Sequence, residues 1–240
     1  MGVIYSVLIL LSGPLLGIWI QRKFNSNSHR VISNTVLFSG SFLLGISLFG
    51  LMPELFENIQ TAGVFIVAGF LFQILLEKFT GGLGHGHIHS HDIPKSVFVL
   101  FGGLMLHALF EGYSAGLNHH IRTGVVSGMV VGIAIHEIPA AFSLSVLMHS
   151  RYKGKASAFL LLFVYACATP AGYSLGVAVH NEGLLSESLS QIITAIIAGT
   201  FLHISTTIVF ENSLRKKEGL SKWLVILSGL IVSYFACLIG

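Results

Sequence analysis

Charged residues are scarce in this 240-residue chain: Asp, Glu, Lys and Arg together make up 10% of it, against about 25% in an ordinary water-soluble domain. With 53% hydrophobic residues and a mean hydropathy of +0.82, there are too few polar side chains to cover a fold surrounded by water. Cysteine is nearly missing. Cys167 and Cys237 lie inside apolar runs with no CxxC partner, which excludes a disulfide framework or a zinc knuckle and leaves them as packing residues. The net charge of +3 does not point to nucleic acid, because the basic residues sit in short loops between apolar runs, where membrane topology accounts for them.

What is present is a succession of apolar runs, each near the roughly 20 residues needed to cross a hydrocarbon core as a helix. Eight are expected: residues 3–20, 31–52, 61–79, 96–117, 124–148, 156–179, 189–210 and 223–240. The first lacks a basic leader and a small-residue cleavage site, so it is expected to be kept as a span. The reading is an all-α integral membrane protein, with residues 1–240 as a single polytopic membrane domain.

The loops fix an orientation. Arg22, Lys23 and Arg30 follow span 1; Lys78 and Lys95 follow span 3; Arg151, Lys153 and Lys155 follow span 5; Arg215, Lys216, Lys217 and Lys222 follow span 7. Of the thirteen cations only Arg122 falls on the other side, so the odd-numbered loops are expected in the cytoplasm and both termini away from it. Glu54, Glu57, Glu182 and Glu187 lie on the face opposite the cations, near span ends, where they could attract metal ions. Gly40-Ser41-Phe42-Leu43 in span 2 is echoed by Gly199-Thr200-Phe201-Leu202 in span 7, and Gly13-Pro14 in span 1 by the Pro170 and Gly172 region of span 6. Spans 1–3 and 6–8 would run in opposite senses, so the expected arrangement is an inverted repeat around central spans 4 and 5.

Those central spans carry polar groups at lipid depth. His107 and Glu111 in span 4 lie roughly 16 to 22 Å from its cytoplasmic end at 1.5 Å per residue, and their spacing puts both on one helix face. Span 5 supplies His136 and Glu137 at comparable depth. An ionised carboxylate at the bilayer centre costs about 2.5 to 3.5 kcal/mol on insertion scales, and a divalent cation is the natural compensation. Pro139 is expected to kink span 5 beside the site. The small-residue spacings Gly112/Gly116 and Gly128/Gly132 are expected to let the helices carrying the two pairs approach closely. The loop at 80–95 holds His85, His87, His89 and His91 at alternate positions, a cytoplasmic His-rich tract suited to borderline-soft metals.

Taken together these features resemble the ZIP (ZRT/IRT-like) family of divalent metal transporters over nearly the whole chain. Span 4 is similar to the family's H-x-x-x-E/D-G motif at His107, Glu111 and Gly112, and span 5 to its H-E-x-P motif at His136, Glu137 and Pro139. Pro53-Glu54, Gly69-Phe70-Leu71, Glu77 and Pro170/Gly172 also match. The resemblance implies a 3+2+3 helix arrangement, with His107, Glu111 and His136 as metal ligands and Glu137 as a further ligand or a charge-balancing and proton-handling group. Departures at Ala108, Ala140 and Thr169 lead to the expectation of one principal ion, and Gly50 stands where the family carries a His. His203, His119 and His120 are candidate accessory metal residues.

The implied function is uptake of a divalent transition metal into the cytoplasm, zinc first, with Fe²⁺, Mn²⁺ and Cd²⁺ left open. It is not enzymatic and requires no catalytic cofactor. A zincin-type metalloenzyme would need a second His at position 140, where Ala stands. A haem protein using His107 and His136 would not place Glu111 and Glu137 beside its axial ligands. The partners expected are the metal ion and the lipid bilayer; pairing of two copies and the choice among cell and organelle membranes stay open.

Overall fold

The computed structural model describes residues 2–23, 29–80, 97–119, 123–152, 156–213 and 219–238. The described residues are helical apart from short turns, with no strand among them. The helices are α1 (Val3–Lys23), α2 (His29–Gly45), α3 (Met52–Asn58), α4 (Ala62–Thr80), α5 (Val97–Leu117), α6 (Thr123–Tyr152), α7 (Ala156–Ala166), α8 (Ala168–Asn181), α9 (Glu187–Ser213) and α10 (Gly219–Leu238).

Two interruptions follow from proline. Between α2 and α3 the chain winds as a π-helix over Ile46–Leu51, and the Met52 N–H reaches back to the Ser47 carbonyl. Pro53 comes next and has no N–H to continue the ordinary ladder, so the wider turn takes up the mismatch. Between α7 and α8 the break falls at Cys167, because Pro170 cannot donate to the Ala166 carbonyl one turn back. The ladder resumes at once: the Cys167 N–H bonds Phe163 and the Ala171 N–H bonds the Cys167 carbonyl. Pro14 and Pro139, by contrast, lie inside continuous helices.

Counting across these breaks, the described residues form eight rods. Six stretches are long and apolar enough to cross a membrane by length and composition: Val3–Lys23, Ser33–Asn58, Val126–His149, Ala156–Asn181, Glu187–Phe210 and Leu220–Leu238. The rods run past the expected spans at several ends, to Lys23, Asn58 and Ser213, because polar residues there continue the helix after the apolar run stops. Leu8, Leu15 and Trp19 on α1, Val64, Val67 and Leu71 on α4, and Leu224, Leu227 and Ile231 on α10 are all exposed. Apolar faces of this length, open on the outside of a packed bundle, suit a surround of hydrocarbon.

The main helix pairings are α5 with α8, α1 with α6, α4 with α9, α2 with α10, and α2 with α9. Exchanging the first three rods in order with the last three, and α5 with α6, leaves this set of pairings unchanged. Backbones meet closely at glycine. A methyl placed on Gly112 or Gly116 would lie 2.8 Å from the carbonyl carbons of Thr169 and Tyr173, and one on Gly172 would lie 2.9 Å from the Tyr113 nitrogen. These contacts bind α5 to α8, not to α6. Gly128 and Gly132 face Ile46, Phe42 and Leu43 of the second rod. The expected small-residue spacings therefore serve neighbouring pairs, and the site between α5 and α6 is left to side chains.

Candidate metal site

On α5, His107 and Glu111 stand one turn apart, with His107 Nε2 3.3 Å from Glu111 Oε1. His136 on α6 brings its Nε2 to 4.0 Å from the same oxygen. The two imidazole centroids are 6.0 Å apart and inclined at 74°. One ligand atom from each of the three residues lies within 4.8 Å of the others, and no second such group of three occurs among the described residues. Bond lengths of about 2.0 to 2.2 Å in a tetrahedral shell separate neighbouring donors by roughly 3.3 Å. One donor pair is already at that spacing, and the others lie within 4.8 Å.

The three residues are 8%, 2% and 1% exposed in chain order, and neither Glu111 oxygen accepts a hydrogen bond. A carboxylate buried without hydrogen-bond donors is costly. The two imidazole nitrogens beside it create a donor set that a cation would complete.

Glu137 departs from the expected foursome. Successive helical residues point about 100° apart, so when His136 faces α5 its neighbour turns toward α7 and α8. There the Tyr165 hydroxyl donates to Glu137 Oε2 at 2.5 Å and the Thr169 hydroxyl donates to Oε1 at 3.3 Å. Glu137 is not part of the three-ligand cluster.

The family model described as ZIP zinc transporter matches residues 83–236, which include both site helices. The chain belongs to the ZIP zinc transporter family. It is similar to zinc transporter ZIP1 of Danio rerio, 24% identical over 92% of this chain and 90% of that protein. It is 32% identical to zinc transporter ZIP9 of Micropogonias undulatus over 62% of this chain and 51% of that protein. It is also 30% identical to the protein zntD of Dictyostelium discoideum, over 54% of this chain and 20% of that protein. The chain thus spans nearly all of one relative, half of another and a fifth of the third. Membership agrees with the apolar helices in making this a multi-pass membrane protein of a transporter family, not an enzyme family.

Within this ZIP chain two of the accessory histidines, His203 and His119, lie outside the central cluster. His203 on α9 approaches Glu77 of α4 at 3.5 Å and sits edge-on to Phe70. His119, just past α5, packs against His180 at the end of α8, ring to ring at 5.2 Å. Partial burial and the His180 ring hold the His119 imidazole below its usual value of 6.5. His120, His85, His87, His89 and His91 lie outside the described residues.

The sequence reading passed over Gln73. This buried amide in α4 helps line a cavity of about 160 Å³ with His107, Glu111 and Thr200. Its signal was available: a lone amide in the apolar run of α4 raises the same question of lipid depth as His107. Nearer the α3 and α8 ends, a cavity of about 550 Å³ is lined by Glu54, Asn58, Asn118, His180, Glu187 and Gln191. Two of the four carboxylates expected to attract cations, Glu54 and Glu187, meet there.

Proposed function

We propose that this protein carries a divalent transition metal, zinc first, into the cytoplasm by alternating access about His107, Glu111 and His136. The observation that carries the reading is the buried Glu111 carboxylate with two imidazole nitrogens at 3.3 and 4.0 Å. Two nitrogens and one oxygen suit zinc and its late 3d neighbours better than magnesium or calcium. The zinc transporter names of the relatives point the same way.

The proposed topology has eight spans with both termini away from the cytoplasm, which follows from the cations of the odd-numbered loops. Ions would collect in the cavity edged by Glu54 and Glu187, lose water at the central ligands, and leave past Gln73 and Thr200. The cytoplasmic tract of His85, His87, His89 and His91 would receive them. Helix pairing supports a moving part: α1, α5, α6, α7 and α8 pack chiefly among themselves, as do α2, α4, α9 and α10. Relative motion of two such bodies, each built from rods of both repeats, would expose the site to either side in turn.

Neither rival gains support. Ala140 leaves the zincin pattern incomplete, and the Glu111 carboxylate stands beside both imidazole nitrogens where the iron of a haem would have to sit. The test is zinc uptake into vesicles containing the full chain, with His107→Ala and Glu111→Ala expected to abolish flux. Unchanged flux in both variants overturns the proposal.

A further inference from the structure

Glu137 follows His136 directly in the chain and is 1% exposed. A second carboxylate adjacent in sequence to a ligand is a ready donor for a cation. Here both of its oxygens are engaged, one by the Tyr165 hydroxyl and one by the Thr169 hydroxyl. The two donors are themselves fully buried, so no water competes for them. They stand four residues apart on either side of the Cys167 break, which places both hydroxyls toward α6.

We infer that Tyr165 and Thr169 are positioning residues that hold Glu137 outside the ion's coordination sphere, as a counter-charge instead of a ligand, and thereby set the transporter's metal preference. The inference rests on the reading of His107, Glu111 and His136 as the ion's ligands. A divalent ion with Glu111 alone carries one net positive charge, and ionised Glu137 in the next layer brings the total to neutral. The ion itself then meets two nitrogens and one carboxylate. Were Glu137 to enter the sphere, the oxygen share would rise and harder ions such as Mn²⁺ would gain on Zn²⁺. Selectivity would therefore be set by a tyrosine and a threonine that the ion never touches.

The experiment uses the purified full chain in detergent, loaded with Co²⁺ as a spectroscopic stand-in for zinc. The wild type is expected to give strong visible d–d bands of a low-coordinate site. Tyr165→Phe releases one Glu137 oxygen, so its bands should weaken and shift as a second carboxylate binds. The ratio of Mn²⁺ to Zn²⁺ affinity should rise about tenfold, the lower end of what groups behind a metal ligand usually control. Adding Glu137→Gln to Tyr165→Phe should return both the bands and the ratio toward the wild type, which loss of packing alone would not do. Thr169→Val, which keeps the shape of the side chain, should move both in the same direction by less, and it carries the test if Tyr165→Phe does not fold. Wild-type bands and an unchanged affinity ratio in the folded variants overturn the inference and leave the ligand reading intact. Absence of bands in the wild type overturns the ligand reading, and the inference falls with it.

Discussion

Gly112→Ala tests the architecture behind the site, with Gly102→Ala as its internal control on the same helix. A methyl at position 112 would lie 2.8 Å from the Thr169 carbonyl carbon and 2.9 Å from the Tyr173 nitrogen, whereas one at position 102 meets nothing within 4 Å. Carbon atoms pack no closer than about 3.5 Å, so α5 and α8 must part by at least about 0.7 Å at this level. Either α5 yields, moving His107 and Glu111, or α8 yields, drawing Thr169 from Glu137. Metal–ligand bonds hold to within about 0.2 Å of their preferred lengths. Overpacking of this kind costs about 1 to 3 kcal/mol, while alanine in place of an open helical glycine gains up to about 1 kcal/mol. Gly112→Ala should therefore lower the midpoint of thermal unfolding in detergent and cut zinc flux in vesicles severely, and Gly102→Ala should do neither. Equal stability and flux for the two variants would refute the account of backbone packing between α5 and α8.

Other outcomes follow from single features. Glu111→Gln keeps the shape of the side chain but removes its charge, and should weaken Co²⁺ binding by about 10-fold or more, measured by titration. His203→Gln should leave central-site affinity unchanged, since His203 faces Glu77 and Phe70; a loss comparable to that of His136→Ala would place it in the central shell after all. For His119 the folded value lies below the unfolded value of 6.5, so the unfolded chain binds more protons between the two. Its contribution to stability is present above about pH 6.5 and is lost as pH falls toward the folded value. His119→Asn should flatten the fall of unfolding temperature on acidification, and an unaltered slope would dismiss this contribution.

Much of the fold was legible because membrane helices leave a coarse signal. Each rod coincides with an apolar run, and His107, Glu111 and His136 stood out by their depth alone. The interruptions at Ile46–Leu51 and Cys167 were less visible, since a proline announces a missing hydrogen bond without saying how the chain will absorb it. Pro139 lies inside a helix that runs on without interruption, while Pro53 and Pro170 accompany the interruptions. Side-chain direction was harder still. His136 and Glu137 read as one pair, but adjacent helical positions face different neighbours, and only the placement of Tyr165 and Thr169 decides which of them meets Glu111. Glycine spacing indicated close packing without identifying the partner: Gly112 meets α8, and Gly132 meets α2.

The glycine contacts carry a consequence for mutational scanning. Where one helix rests on the carbonyls of another, as Gly13 does on Ala134, Gly69 on Ile196, Gly199 on Ile66 and Gly172 on Leu109, no alternative side chain can repack the gap. A scan of all substitutions would display these positions as intolerant points spaced along otherwise permissive lipid-facing helices. Crossing pairs of such points, with compensating changes sought on the opposite backbone, should yield almost no rescue. The map of intolerant positions would trace which helices meet backbone to backbone, without any metal being added to the assay.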